Sequence, residues 1–120
     1  MKTENIIKDK AFDFALDSIK PYKSLNEEKE YVFVKQFIRS ATSIGANINE
    51  AQAGISKRDF IAKMSIASKE ARESNYWLQL LKQAKIINYN YEEVLLKSEE
   101  ILKILTSIIK TSQANLKSIY

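Results

Sequence analysis

With 120 residues, 45% hydrophobic and 28% charged, the chain fits one domain and is neither disordered nor membrane-like in composition. Two glycines, one proline, no cysteine and no histidine argue against turn-rich sandwiches, barrels and βαβ repeats. The same counts remove disulfides, thiol nucleophiles, most zinc sites and the commonest general base, and a net charge of +4 permits an anionic partner without requiring one.

Caps and breakers predict an all-α chain, a single domain over residues 1–120 with helices at about 4–19, 26–53, 57–86 and 91–117. Thr3 or Asn5 can start the first helix, and Pro21 ends it. After a short connection, Ser24 and Glu27 have the Ser-x-x-Glu spacing of a capping box for the second helix, and Gly54 supplies its C-terminal stop. Ser56, with Asp59 in the first turn, opens the third helix; Asn90, followed by Glu92 and Glu93, opens the fourth. Short connections make consecutive helices antiparallel, so the expected architecture is an up-down-up-down four-helix bundle.

Apolar spacing by threes and fours gives each helix a seam. Helix one offers Ile7, Ala11, Phe14 and Ser18, with Phe12, Leu16 and Ile19 on an adjacent side. Helix two offers Val34, Phe37, Ala41, Ile44, Ile48, Ala51 and Ile55; helix three, Phe60, Met64, Ala67, Ala71, Ser74, Leu78 and Leu81. Helix four carries Leu95, Leu102, Leu105, Ile109 and Leu116, flanked by Val94, Ile101 and Ile108. The stripes on helices one and four are wider than one seam needs, which points to an oligomer interface or to a broad internal face.

Little here suggests catalysis. Glu50, Glu70 and Glu73 lie on the long middle helices, but no histidine is present to complete a di-metal site of the usual bundle type. Gly45 and Gly54 are isolated, so there is no glycine-rich phosphate loop. No enzyme activity, cofactor or metal is expected. No leader or membrane-spanning run is visible, which makes a cytoplasmic protein the default expectation. Ser43, Asn47 and Glu50 share one face of helix two, either as a structural network, with Arg72 or Glu73 on helix three as partners for Asn47 and Glu50, or as a ligand site. Gly45 suggests close helix–helix approach, in which case Gly45→Leu would lower the melting temperature strongly.

The charge is unevenly spread. Residues 1–30 hold six lysines against seven acids and 91–120 four against four, whereas 31–90 hold nine basic residues against four acids. Candidate nucleic-acid contacts are Lys57, Arg58, Lys63, Lys69, Arg72, Lys82 and Lys85, together with Lys103, Lys110 and Lys117, which recur every seven residues. Solvated lysine rows with favourable C-terminal placement are the plainer alternative. Tyr76 and Trp77 lie between these charges as core or interface anchors or as stacking platforms.

The segment Ser43-Ile44-Gly45-Ala46-Asn47-Ile48-Asn49-Glu50-Ala51, followed by Ser56-Lys57-Arg58-Asp59-Phe60, resembles the four-helix bundle family encoded in intervening sequences of bacterial 23S rRNA genes. That family's pattern is Ser-Ile-Pro-Ala-Asn-Ile-Ala-Glu-Gly, a short loop, then Ser-Lys-Lys-Asp/Glu-Phe. The stretch Ile66–Glu73 and Tyr76-Trp77-Leu78 are similar to its third helix. Gly45 stands where proline is common, and Asn49 and Ala51 depart from Ala and Gly, while Ser43, Asn47, Glu50, Phe60 and Glu73 are kept. The resemblance implies an up-down bundle assembling as a homopentamer around a central channel. A related branch serves diversity-generating retroelements as an accessory protein, binding a reverse transcriptase and nucleic acid through its basic surface. The functional expectations are therefore a non-catalytic oligomer binding structured RNA or DNA, or a scaffold for a protein partner.

Overall fold

The computed structural model describes residues 2–19, 31–85 and 89–119. They form four helices, α1 (Lys2–Ile19), α2 (Tyr31–Gln52), α3 (Lys57–Ala84) and α4 (Tyr91–Ile119). Pro21, the Ser24/Glu27 capping box, residues 26–30 and residue 86 lie outside the described residues. At the start of α3, Ser56 is extended and its hydroxyl accepts the Asp59 amide at 3.0 Å, the N-cap expected from the sequence. The other end of α3 turns on Lys85, whose φ of 55° is left-handed.

The helices touch in a cycle, α1 to α2, α2 to α3, α3 to α4 and α4 to α1, and among the described residues the diagonal pairs keep their backbones further apart. Phe33 meets Trp77 while Arg39 meets Glu70, Asn75 meets Ser98 while Arg72 faces Lys110, and Lys10 meets Glu100 while Asp17 meets Lys97, so each of these neighbouring pairs runs antiparallel. The result is a square up-down bundle of 52 × 23 × 22 Å.

Each corner helix must face two neighbours, so it buries a wide face instead of a single ridge. On α1 and α3 the expected seams are buried, Ile7, Ala11 and Phe14 meeting Met64, Ala67, Ala71, Leu78 and Leu81 in one core, although Phe60 is only partly covered. On α4 the centre shifts to Val94, Ile101, Leu105 and Ile108, while Leu102 and Ile109 are half-buried. The extra width on α4 is therefore mostly internal. The extra width on α1 is not: Phe12 is 64% exposed, and Leu16 and Ile19 lie with it at i, i+4 and i+7 spacing. Ile55, expected in the α2 seam, is 98% exposed because α2 ends at Gln52 and leaves it in the turn.

Small serines let the helices approach across this core. Ser18, Ser40, Ser74 and Ser98 are buried, and each hydroxyl lies 2.8–2.9 Å from a carbonyl of its own helix one turn back. Ser74 Oγ also lies 2.9 Å from Ser40 Oγ, joining α3 to α2.

Gly54 follows the end of α2, as expected of a stop, whereas Gly45 is not required by close packing. Gly45 faces Ala11, but a Cβ there would sit 3.8 Å from the Ala11 Cβ, ordinary van der Waals contact, so the approach of α1 and α2 does not require glycine. Gly54 has no positive φ and is not a left-handed cap. Its constraint is space: a Cβ would lie 2.6 Å from the Asp59 carboxylate and 3.0 Å from the Ala51 carbonyl.

Candidate nucleic-acid interface

Among the described residues, most acidic side chains that pair do so along two edges of the bundle. Between α2 and α3, Arg39 binds Glu70 at 3.1 Å and also Glu73, whose carboxylate accepts the Trp77 Nε1–H at 3.1 Å. The Trp77 hydrogen bond and the Arg39 guanidinium hold the Glu73 carboxyl below its usual range, with burial opposing them and Lys69 assisting. The same contacts, the Glu73 hydrogen bond first, raise the Arg39 guanidinium further. Between α1 and α4, Lys97 reaches Asp17, Asp13 at 3.2 Å and Glu93 at 3.6 Å, and Lys10 meets Glu100 at 3.1 Å. Its hydrogen bond to Asp17 is the largest cause of a strongly raised Lys97 ammonium.

The α3–α4 edge is different. After Glu100 no acid occurs on α4, and Lys103, Lys110 and Lys117 are all exposed there. On α3, an advance of about 100° per residue turns Arg72 towards α4, away from the side that carries Glu70 and Glu73. Arg72 and Lys110 meet across a groove of about 280 Å³ that is also lined by Ser68, Thr106, Ile109 and Gln113.

The ten basic candidates thus do not form one site. Arg72 and Lys110 converge; Lys57 lines a separate cavity at the end of the bundle with Asn5, Ser56 and Ser112. Arg58 and Lys69 are exposed on α3, Lys63 is half-buried, and Lys82 and Lys85 are exposed at the far end. Sequence reasoning did not single out Ser68, Thr106 and Gln113, which carry no charge, nor Arg39. The signal for Arg39 was present, since it extends the polar row of Ser43, Asn47 and Glu50 by one turn.

The family pattern described as 23S rRNA-intervening sequence protein matches residues 3–107. The chain belongs to this family. A solved protein of unknown function from the S23 ribosomal protein family of Bacteroides thetaiotaomicron VPI-5482 is 50% identical, with a TM-score of 0.85, over 90% of this chain and 98% of that one. No curated protein matches. The 23S rRNA-intervening sequence match includes Lys103 and stops short of Lys110 and Lys117.

The residues that resemble the family's motif mostly serve α2 and its edge with α3. Asn47 donates through Nδ2 to the Ser43 carbonyl at 2.9 Å and its hydroxyl at 3.0 Å, within α2. The expected bonds from Asn47 and Glu50 to Arg72 or Glu73 are not formed. Antiparallel register puts Arg39 and Ser40 level with Glu70 to Ser74, two turns from Asn47, and Arg72 faces α4. Glu50 is exposed. Trp77 is half-buried against Phe33 and Tyr76, with ring centroids 6.1 and 5.2 Å away. Tyr76 itself is 59% exposed, so it is not a core anchor of the single chain. No group of three metal-ligating side chains occurs among the described residues, and no described helix is long and apolar enough to cross a membrane.

Proposed function

We propose that the chain is a non-catalytic, cytoplasmic nucleic-acid-binding protein that contacts the phosphate backbone of structured RNA along the α3–α4 edge. The observation that carries this reading is the segregation of charge: acids pair along α1–α4 and α2–α3, while Arg72 and Lys110 converge on a groove with no acidic lining. Phosphate binding releases counterions and must strengthen as salt falls. Affinity for a structured rRNA fragment, measured from low to high salt, tests it. Charge reversal at Arg72, Lys103 and Lys110 is expected to abolish binding, and no binding even at low salt would refute the reading.

The chain is further proposed to act as a ring of copies, the homopentamer that the family resemblance implies. Two dissimilar apolar faces support this: Phe12, Leu16 and Ile19 on α1, and Phe33, Tyr76 and Leu80 on α2 and α3. Dissimilar faces suit head-to-tail contact, which closes into a ring when the rotation allows. The same exposed faces favour a second reading, a scaffold or accessory subunit for a protein such as a reverse transcriptase, with no direct nucleic-acid role. A light-scattering mass tests the ring, and the charge reversals separate the readings because protein docking would survive them.

A further inference from the structure

Five serines are buried among the described residues, and four of them satisfy their hydroxyls within their own helix. Ser68 is the exception. It is 3% exposed, and its hydroxyl has no hydrogen-bond partner among the described residues. A helical serine can ordinarily bond back to the carbonyl one turn earlier, so leaving a buried hydroxyl unpaired is unfavourable unless something else supplies the partner. Ser68 lines the α3–α4 groove.

The rest of the groove specifies what that partner would be. Arg72 and Lys110 flank it, and neither pairs with a carboxylate among the described residues. The nearest acids along α3, Glu70 and Glu73, are engaged by Arg39 on the opposite side of the helix. Gln113 adds an amide that can donate, and Ile109 contributes an apolar wall. The Thr106 hydroxyl already donates to the Leu102 carbonyl at 2.8 Å. A hydroxyl, a guanidinium, an ammonium and an amide converging without a carboxylate form a donor set, and a tetrahedral oxyanion supplies the acceptors it lacks.

We propose that the groove bounded by Ser68, Arg72, Lys110 and Gln113 is a phosphate-binding subsite. The Arg72 fork and the Lys110 ammonium neutralise the anion, while Ser68 donates to an oxygen that enters the groove. A phosphodiester of a nucleic-acid backbone and free inorganic phosphate share this chemistry. The backbone as source rests on the nucleic-acid reading above; the anion site does not.

The test is amide and side-chain NMR on the full chain, titrated separately with inorganic phosphate and with an eight-nucleotide oligouridine. Shifts that saturate at Ser68, Arg72, Lys110 and Gln113 are expected with both. Ser68→Ala is the informative variant, because removing an unpaired buried hydroxyl should raise the thermal midpoint while weakening phosphate binding about threefold to tenfold. Arg72→Gln with Lys110→Gln should erase the local shifts, and Lys35→Gln, at an exposed position on α2 outside the groove, should leave them. Shifts with phosphate but not with oligouridine would support the anion site and overturn the backbone as its source. Oligouridine binding without shifts in the groove would overturn the subsite and leave the nucleic-acid reading standing. Equal affinities for wild type and Ser68→Ala would also overturn it, as would an ion spread diffusely over all the surface lysines.

Discussion

Gly45→Ala should stabilise the protein. Gly45 lies within α2 and has no positive φ, so a methyl group needs no backbone change. Alanine is favoured over glycine in a helix interior by about 1 kcal/mol, mainly because the unfolded glycine is freer. The new Cβ would meet three atoms of Ala11 at 3.8–3.9 Å, close to optimal contact, adding a few tenths of a kcal/mol at about 0.1–0.2 kcal/mol per atom pair. The total is about 1.5 kcal/mol. For a chain of 120 residues, the usual unfolding entropy converts that to a rise in midpoint of roughly 6 °C. Circular dichroism melts at several protein concentrations measure it, and concentration dependence separates the fold from any assembly. Gly45→Leu was expected from the sequence to be severely destabilising. The structure instead offers its side chain a groove of about 340 Å³ lined by Phe12, Thr42, Ala46 and Asn49, so only a small change is expected. A midpoint lowered by alanine would refute the reasoning, since it would mean that α1 and α2 approach more closely than Gly45 and Ala11 indicate.

Lys85→Gly should stabilise by about 1 kcal/mol, because the left-handed conformation that ends α3 carries a steric cost for any residue with a Cβ; urea melts would show it, and a loss would count against that turn. Arg39→Met should cost about 1 kcal/mol after allowance for the exposed guanidinium, since it strands the mostly buried Glu70, and thermal melts at neutral pH measure it. The Glu73 carboxyl is depressed in the fold, so its contribution is present above the unfolded carboxylate pKa and lost as pH falls through the folded value; Glu73→Gln should flatten the acid limb of stability against pH. Burial is the first cause raising Tyr89 and Tyr91, and the Asp17 hydrogen bond the first raising Lys97, so their contributions are complete below the unfolded pKa values and lost as pH rises through the folded ones. Alkaline unfolding above about pH 10 should therefore become less steep in Tyr89→Phe with Tyr91→Phe, followed by helical circular dichroism.

The fold was largely legible because helix periodicity and end signals are local. Ser56 and Asp59 cap α3 through atoms three residues apart, and the α3 seam from Met64 to Leu81 follows from spacing alone. What failed depended on neighbours. Whether Ile101 or Leu102 is deeper on α4 is decided by where α1 and α3 stand, and a single-stripe reading cannot contain two partners. Glu73 was recognised, but its partner is Arg39, because pairing across antiparallel helices requires a register that no spacing within one helix provides. Ile55 fitted the apolar rhythm and is almost wholly exposed because the helix had already ended.

The candidate site was less legible for a related reason: charge can be counted in a sequence, but its direction cannot. The excess of basic residues in 31–90 includes Arg39, which is used up on an internal edge. Arg72 lies two residues from Glu70 and one from Glu73, yet the helix rotates it to the opposite edge, where Lys110 arrives from a segment of balanced overall charge. Engaging Glu70 and Glu73 through Arg39 keeps the α3 carboxylates off the side that Arg72 shares with Lys110, so these ion pairs and the groove belong to one arrangement. It follows that breaking the Arg39 pairs would do more than weaken the α2–α3 edge. Freed from Arg39, Glu73 would lie one position from Arg72 on α3, and its charge would then oppose an anion approaching that helix. Arg39→Met should thus lower phosphate affinity at a groove it does not line, more at low salt than at high, whereas Arg39→Met with Glu73→Gln should recover it.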